Sequence, residues 1–362
     1  MVRKSFNDGW LFGKGSGSAL SAMFGGAGED RPVTLPHDAA ILEQRDAQDI
    51  WGSGNAYFSK DNYHYTKKFS LGSKDKDKIF VLHFEGVYQN AFVYVNNSFA
   101  AKHPYGYGDF YVDITKYLRF DSENTISVTV KNGVSSGRWY TGGGIYRDVF
   151  LLVGDRLNID PQGVCFKTEE ASDELAVIHT GTVLNYKGIG VRKVRLCTEI
   201  RDMDGHVVAN DSIPVTITEH ESIELTQKLY VKQPKLWSAE CPSLYQYHVE
   251  IQEDDKMIDS GEGTFGIRTV RADPIRGLRV NGNAVKLRGG CIHHDNGIIG
   301  GAEFAHAERV RIQELKKCGS RQRGCSLLNP PQKAFEPCGQ KSEPPWSLLD
   351  AGSDALVKKQ FL

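Results

Sequence analysis

Arg138, Trp139 and Tyr140 set a guanidinium beside two aromatic rings. An aromatic face packs on the C–H groups of a pyranose while a guanidinium donates to hydroxyls, so Arg138 and Trp139 are candidate sugar contacts. The structural alternative is that Trp139 and Tyr146 anchor a sandwich and Arg147 makes an ion pair. Further on, His293, His294 and Asp295 form the best polar cluster for binding. Such a cluster could contact a ligand, lie exposed on a loop or hold a metal. Adjacent histidines project to different sides unless the backbone bends, so no metal site is expected. Asn55, beside Gly54 in an expected loop, is a weaker binding candidate because polar loop residues are commonplace. The Gly142-Gly143-Gly144 run lacks the Lys-Ser/Thr and the helix of a phosphate loop, which leaves a tight turn.

These residues sit in a chain of 362 residues, long enough for two or three domains without disulfide staples. Lys and Arg total 44 against 45 Asp and Glu, with no long run of one sign, which argues against a nucleic-acid partner. Seven cysteines, an odd number without a C-x-x-C pair, point to reduced thiols rather than a disulfide framework or a zinc ribbon. The first residues develop no apolar leader, and no run of about 18 apolar residues occurs, so a cytoplasmic location and no membrane partner are expected. No cofactor is expected either.

The elements that must position the candidates read as strands. Tyr63, Tyr65, Lys67 and Phe69 alternate with polar residues, as in a half-exposed strand, and Ile79 to Phe84 is apolar almost throughout, as in a buried one. Phe92 to Val95 runs into an Asn96-Asn97 turn, Thr125 to Val130 alternates, and Asp148 to Val153 supplies another strand. Short strands at this spacing predict a sandwich over 1–155. From 156 to 267 the same pattern continues, with alternation at Val194 to Ile200 before Asp204-Gly205 and at Tyr245 to Ile251 before Asp254-Asp255. About seven short strands there predict an immunoglobulin-like sandwich. The pattern then changes: Val285 to Arg288 reads as a strand, and Ala302 to Cys318 as a helix stopped by Gly319.

Several segments together resemble glycoside hydrolase family 2, the retaining β-galactosidases, β-glucuronidases and β-mannosidases. The longest runs from Gly137 through Arg138-Trp139-Tyr140 and Gly142-Gly143-Gly144-Ile145-Tyr146-Arg147 to Val149, and is similar to the signature near the end of that family's sugar-binding sandwich. Leu35-Pro36-His37-Asp38, Phe84-Glu85-Gly86-Val87-Tyr88, Tyr94-Val95-Asn96, Pro104-Tyr105-Gly106-Tyr107 and Asp113-Ile114-Thr115 support it. So do Trp237 with Pro242, Leu244 and Tyr245, then Phe265-Gly266-Ile267-Arg268, and Leu287-Arg288-Gly289-Gly290 ahead of His293-His294-Asp295. The resemblance implies a mainly β chain: a jelly-roll sugar-binding domain at 1–155, an immunoglobulin-like β-sandwich at 156–267 and the first βα unit of an incomplete (β/α)8 barrel at 268–319. By the same resemblance His293, His294 and Asp295 line the subsite for the nonreducing sugar, β-galactoside being the substrate class that fits best.

Retaining glycosidases need two carboxyl groups roughly 5–5.5 Å apart, one as acid/base and one as nucleophile. The resemblance places both on later barrel strands, the acid/base within an Asn-Glu dipeptide. After residue 285 no Asn-Glu pair occurs, and the glutamates are Glu303, Glu308, Glu314, Glu336 and Glu343. The first three are expected on the first barrel helix, outside any site, so no catalytic residue is assigned. The tail 320–362 departs from the family pattern and is expected to be poorly ordered. The expected function is thus part of a β-galactoside hydrolase, inactive as the isolated chain. Rival readings are a noncatalytic carbohydrate-binding or interaction protein and a β-glucuronidase or β-mannosidase fragment; a homo-oligomer is left open. Limited trypsinolysis should leave residues 1 to about 267 as a resistant product while the tail is cut, because only the former has closed cores. A tail intact after extended digestion would contradict the expectation.

Overall fold

The computed structural model describes residues 1–15, 30–48, 52, 57–58, 61–132, 142–285 and 296–317. The chain is mainly β. Ten strands build the first sandwich: β1 (Val2–Ser5), β2 (Trp10–Lys14), β3 (Arg31–Val33), β4 (Asn62–Leu71), β5 (Ile79–Phe84), β6 (Ala91–Val95), β7 (Ser98–His103), β8 (Phe110–Asp113), β9 (Ser122–Lys131) and β10 (Val149–Gly154). They form a six-stranded sheet in the order β3-β2-β4-β9-β6-β7 and a four-stranded sheet in the order β1-β10-β5-β8. Period-2 alternation puts Tyr63 and Tyr65 of β4, Val93 and Val95 of β6, and Ile126, Val128 and Val130 of β9 on one inner face. Phe80, Leu82 and Phe84 of β5 meet them from the other sheet. All six residues of β5 are buried, as its continuous apolar run predicts.

A second sandwich pairs the sheet β11-β12-β15 with the sheet β14-β13-β16-β17. Its strands are β11 (Leu157–Ala171), β12 (Leu175–Tyr186), β13 (Arg192–Arg201), β14 (Val207–Ile217), β15 (Ser222–Lys232), β16 (Tyr245–Glu253) and β17 (Lys256–Phe265). Asp254 and Asp255 both take positive φ in the turn between β16 and β17, as do Asn96 and Asn97 between β6 and β7. Short Asn and Asp side chains tolerate that conformation, and its twist matches that of paired strands. The interior holds two apolar clusters, around Leu196 and around Ile200. Thr198 is buried with them, and its hydroxyl donates to Gln227 Oε1 at 2.7 Å.

Charged contacts join the two sandwiches. The ammonium group of Met1 pairs with buried Asp259, whose other oxygen accepts from the Ile159 amide at 2.9 Å, and Lys187 pairs with Asp113. Trp237, fully buried, is held at the end of the second sandwich: its amide donates to Ile267 O at 2.9 Å and its carbonyl accepts from the Asn281 side chain at 2.9 Å. A small sheet follows, β18 (Val270–Asp273), β19 (Gly277–Val280) and β20 (Asn283–Ala284), and then the helix α1 (Ala305–Lys317). The strand expected at Val285 to Arg288 is described only at Val285, which lies outside the strands. Helix α1 starts three residues later than its sequence signals, because Glu303 is drawn into an extended contact, its amide donating to Tyr146 O at 2.9 Å. The first helical bond of α1 runs from the Glu308 amide to Phe304 O. No helix among the described residues is long and apolar enough to cross a membrane.

Candidate functional site

All six sequence-predicted binding residues, Asn55, Arg138, Trp139, His293, His294 and Asp295, lie outside the described residues. The structure instead shows what holds the chain on either side of 133–141 and 286–295. Its centre is the strip 142–147, which leads from the first of these segments into β10 (Val149–Gly154).

On one side the strip runs beside 37–39: the His37 amide donates to Ile145 O at 2.9 Å and the Ala39 amide to Gly143 O at 2.8 Å. On the other, Tyr88 and Gly144 exchange both backbone bonds at 2.9 Å. Gly144 has φ +96°, and a Cβ there would run into the Tyr65 hydroxyl, so both backbone and space demand glycine. The three-glycine run is therefore a tight crossing and not a phosphate cradle. Asn132, at the near edge of 133–141, donates its side-chain amide to Gly142 O at 3.4 Å.

Asp38 ties these pieces to the chain after 286–295. Its side chain is buried. Oδ1 accepts from the amides of Ala40 at 2.9 Å and Gly143 at 3.0 Å, and Oδ2 from Gly301 at 2.6 Å. Burial raises the Asp38 pKa, and the backbone donors, Gly301 foremost, pull it back. Gly300 carries φ +63°, and a Cβ on it would strike the Asp38 carboxylate.

A second tie lies beside the first. Arg147 and Glu303 are both fully buried and pair through Nε and Oε2 at 2.5 Å. Arg147 Nη1 also donates to Tyr107 O at 3.3 Å and Glu85 O at 3.4 Å, and the Tyr146 hydroxyl to Gly106 O at 2.9 Å. Glu303 was expected on the first barrel helix; it precedes α1 and faces the sandwich. Glu308, on α1, is buried and ion-paired with Arg311 at 2.9 Å, and Glu314 is paired with Lys317 at 2.7 Å. No catalytic role is assigned to any of them. Asp38 and Glu303 were not singled out as organising residues, since nothing local in the sequence shows that either closes a contact across the chain.

His37 sits partly buried beside this network, its Nδ1 2.9 Å from the Tyr65 hydroxyl. Burial, with Arg31 nearby, lowers its pKa to about 4. Elsewhere, Asp202, Asp204 and His206 come together in the turn after β13. There Asp202 accepts the amides of Asp204 and His206 at 3.0 and 2.9 Å, a turn-closing role. The described cysteines Cys165, Cys197 and Cys241 are free thiols.

The described chain is thus two β-sandwiches with a helix-bearing segment locked to the first. Comparison with known proteins names a family. The description "Glycosyl hydrolases family 2" matches residues 162–268, and "Glycosyl hydrolase 2 galactose-binding domain-like" matches residues 51–140, a range that includes Asn55, Arg138 and Trp139. A β-galactosidase of Bacteroides ovatus is 32% identical over 360 residues, 99% of this chain and 42% of that protein. That alignment extends beyond residue 319. A putative β-glucuronidase of Formosa agariphila is 33% identical over 290 residues, 79% of this chain and 27% of that protein. A solved family 2 member from Bacteroides cellulosilyticus superposes with a TM-score of 0.84 at 34% identity, over 91% of this chain and 44% of that one. The chain belongs to glycoside hydrolase family 2. It spans less than half the length of these relatives.

Two outcomes follow from the network. Arg147→Ala should lower the unfolding free energy by about 3–5 kcal/mol, because it leaves the Glu303 carboxylate buried without its partner. In urea melts, adding Glu303→Ala to Arg147→Ala should cost less than the two single losses together; strict additivity would show that the pair is not coupled. His37 gives a pH test. A histidine whose folded pKa is depressed binds its proton more readily when unfolded, so stability is present above about pH 6.5 and is lost as pH falls toward about 4. His37→Gln should therefore lose less stability between pH 7 and pH 5 than the parent, and an unchanged slope would contradict the assignment.

Proposed function

We propose that this chain supplies the non-catalytic leading part of a retaining β-galactoside hydrolase: a jelly-roll sugar-binding domain, an immunoglobulin-like domain and the opening of a (β/α)8 barrel. The observation that carries the reading is the pair of buried ties, Asp38 to Gly143 and Gly301, and Arg147 to Glu303. They hold the chain just after 133–141, the segment of Arg138 and Trp139, beside the chain just after 286–295, the segment of His293, His294 and Asp295. The relative's name favours a galactoside. In this reading Trp139 offers a ring to the sugar, Arg138 donates to hydroxyls, His293, His294 and Asp295 are further sugar contacts, and Asn55 is a weaker candidate.

No hydrolysis is proposed for the chain alone. Glu303 and Glu308 are buried in ion pairs and Glu314 is paired on the exposed side of α1, so none of the three is offered as acid/base or nucleophile. A uronide in place of a galactoside is the second reading, favoured by relatives named as β-glucuronidases. Purified chain should turn over neither aryl β-galactosides nor aryl β-glucuronides above a blank. Reproducible turnover abolished by a substitution within this chain would refute the inactivity. Galactose should bind in the millimolar range, since a few exposed hydrogen bonds each contribute only about 0.5–1.5 kcal/mol, and Trp139→Ala should weaken it. Micromolar binding indifferent to that substitution would favour a dedicated carbohydrate-binding protein.

A further inference from the structure

The outer face of the sheet β14-β13-β16-β17 carries side chains that neither the core nor the site built on Asp38 uses. Alternation turns Val194, Leu196, Thr198 and Ile200 of β13 inward and leaves Cys197 and Glu199 outward; on β16 it buries Tyr245, Val249 and Ile251 and leaves His248 and Glu250 outward. Register then sets Cys197 opposite Glu250, Glu199 opposite His248, and Glu262 of β17 on the far side of His248. Directly opposed residues have Cβ atoms about 4.5–5.5 Å apart. A thiol, an imidazole and carboxylates therefore share one patch of sheet.

Within that patch the histidine faces more acceptors than it has protons to give. Its Nδ1 lies 3.0 Å from Glu262 Oε1 and its Nε2 3.2 Å from Glu250 Oε2. A neutral imidazole carries one N–H, so it donates to one of these carboxylates while its other nitrogen meets the second lone pair to lone pair. Neither Glu250 nor Glu262 has a Lys or Arg partner among the described residues, whereas Glu199 accepts from Arg201 Nε at 3.0 Å. The contact between Nε2 and Oε2 thus asks for a cation, either a second proton or a metal ion. Cys197 favours the metal. Its thiol now makes only a weak contact, to Ser212 Oγ of β14 at 3.6 Å, and rotation about its one side-chain torsion to another staggered well swings the sulfur to the β16 side, across from Glu250.

We propose that Cys197, His248 and Glu250 bind a zinc ion, through the thiolate, Nε2 and Oε2, with water as the fourth ligand. Two donors spaced two apart on one strand and a third on the next strand form a tripod, and a sulfur, nitrogen and oxygen set suits a tetrahedral, borderline-soft cation; calcium or magnesium would call for oxygen alone. Glu262 then accepts from Nδ1 and fixes the ring, and Gln252, which donates to Glu250 Oε1, steadies the carboxylate. Binding releases the thiol proton to solvent. The ion would staple β13 to β16 and owes nothing to the galactoside reading.

The full chain, kept reduced with a phosphine, tests the proposal by titration with Co2+ as a spectroscopic probe and displacement by Zn2+. Cobalt bound to a thiolate gives a charge-transfer absorption that nitrogen and oxygen ligands alone do not. That absorption should appear and be displaced by Zn2+. Cys197→Ser should remove one equivalent of it, and His248→Gln, Glu250→Gln and Glu262→Gln should each weaken Co2+ about tenfold or more. Cys241→Ser, at another free thiol, and His206→Gln, in the turn after β13, should change neither. Absence of the absorption overturns the proposal, as does an absorption that is unchanged in Cys197→Ser. An equivalent lost in Cys197→Ser but held with equal affinity in His248→Gln overturns it by reducing the site to a lone thiol, and loss in His206→Gln overturns it by placing the metal in the turn.

Discussion

A carboxylate withdrawn from water must be met by donors, and Asp38 is met by backbone amides from three separate stretches of chain. That requirement has geometric consequences. The Ala40 amide fixes the turn that follows, the Gly143 amide fixes the far end of 133–141, and the Gly301 amide fixes the chain that follows 286–295. Each donor is a main-chain group, so the constraint falls on the path of the backbone. Glycine at 144 and 300 is the corollary: the strip and the returning chain come too close to their neighbours, and turn too sharply, for a Cβ.

The Arg147–Glu303 pair acts on the same junction with different physics. Two full charges in a water-free setting add little net stability over apolar residues of similar volume, but they penalise every arrangement in which either is left alone. Its value is thus in selecting one docking of the 296–317 segment on the sandwich. The guanidinium also donates to the carbonyls of Glu85 and Tyr107, which draws the aromatic loop 104–108 against the strip.

The second sandwich is closed by two apolar clusters, with Thr198 and Gln227 hydrogen-bonded to each other in its interior. Where it meets the first sandwich, Met1 pairs with Asp259 and Asp113 with Lys187, and an open cleft lies between the two.

The mainly β class, the strands and the family could be read from sequence because each rests on local information. The all-apolar run of β5 announces a buried strand, the Asn96-Asn97 and Asp254-Asp255 pairs announce turns, and the Gly137 to Val149 signature is contiguous. The helix was legible too, though its start was misplaced. A 3.6-residue pattern cannot show that Glu303, by periodicity an acceptable first-turn residue, is pulled away to an arginine 156 positions earlier. Asp38 could be seen only as part of a motif, because its partners at 143 and 301 are backbone amides and leave no mark in residue types. Side-chain types and their spacing along the chain determined which elements form and to which family they belong. Tertiary structure alone decided which distant amides meet a buried carboxylate and which charges lose water together, because those energies depend on burial and on contacts that chain order does not encode.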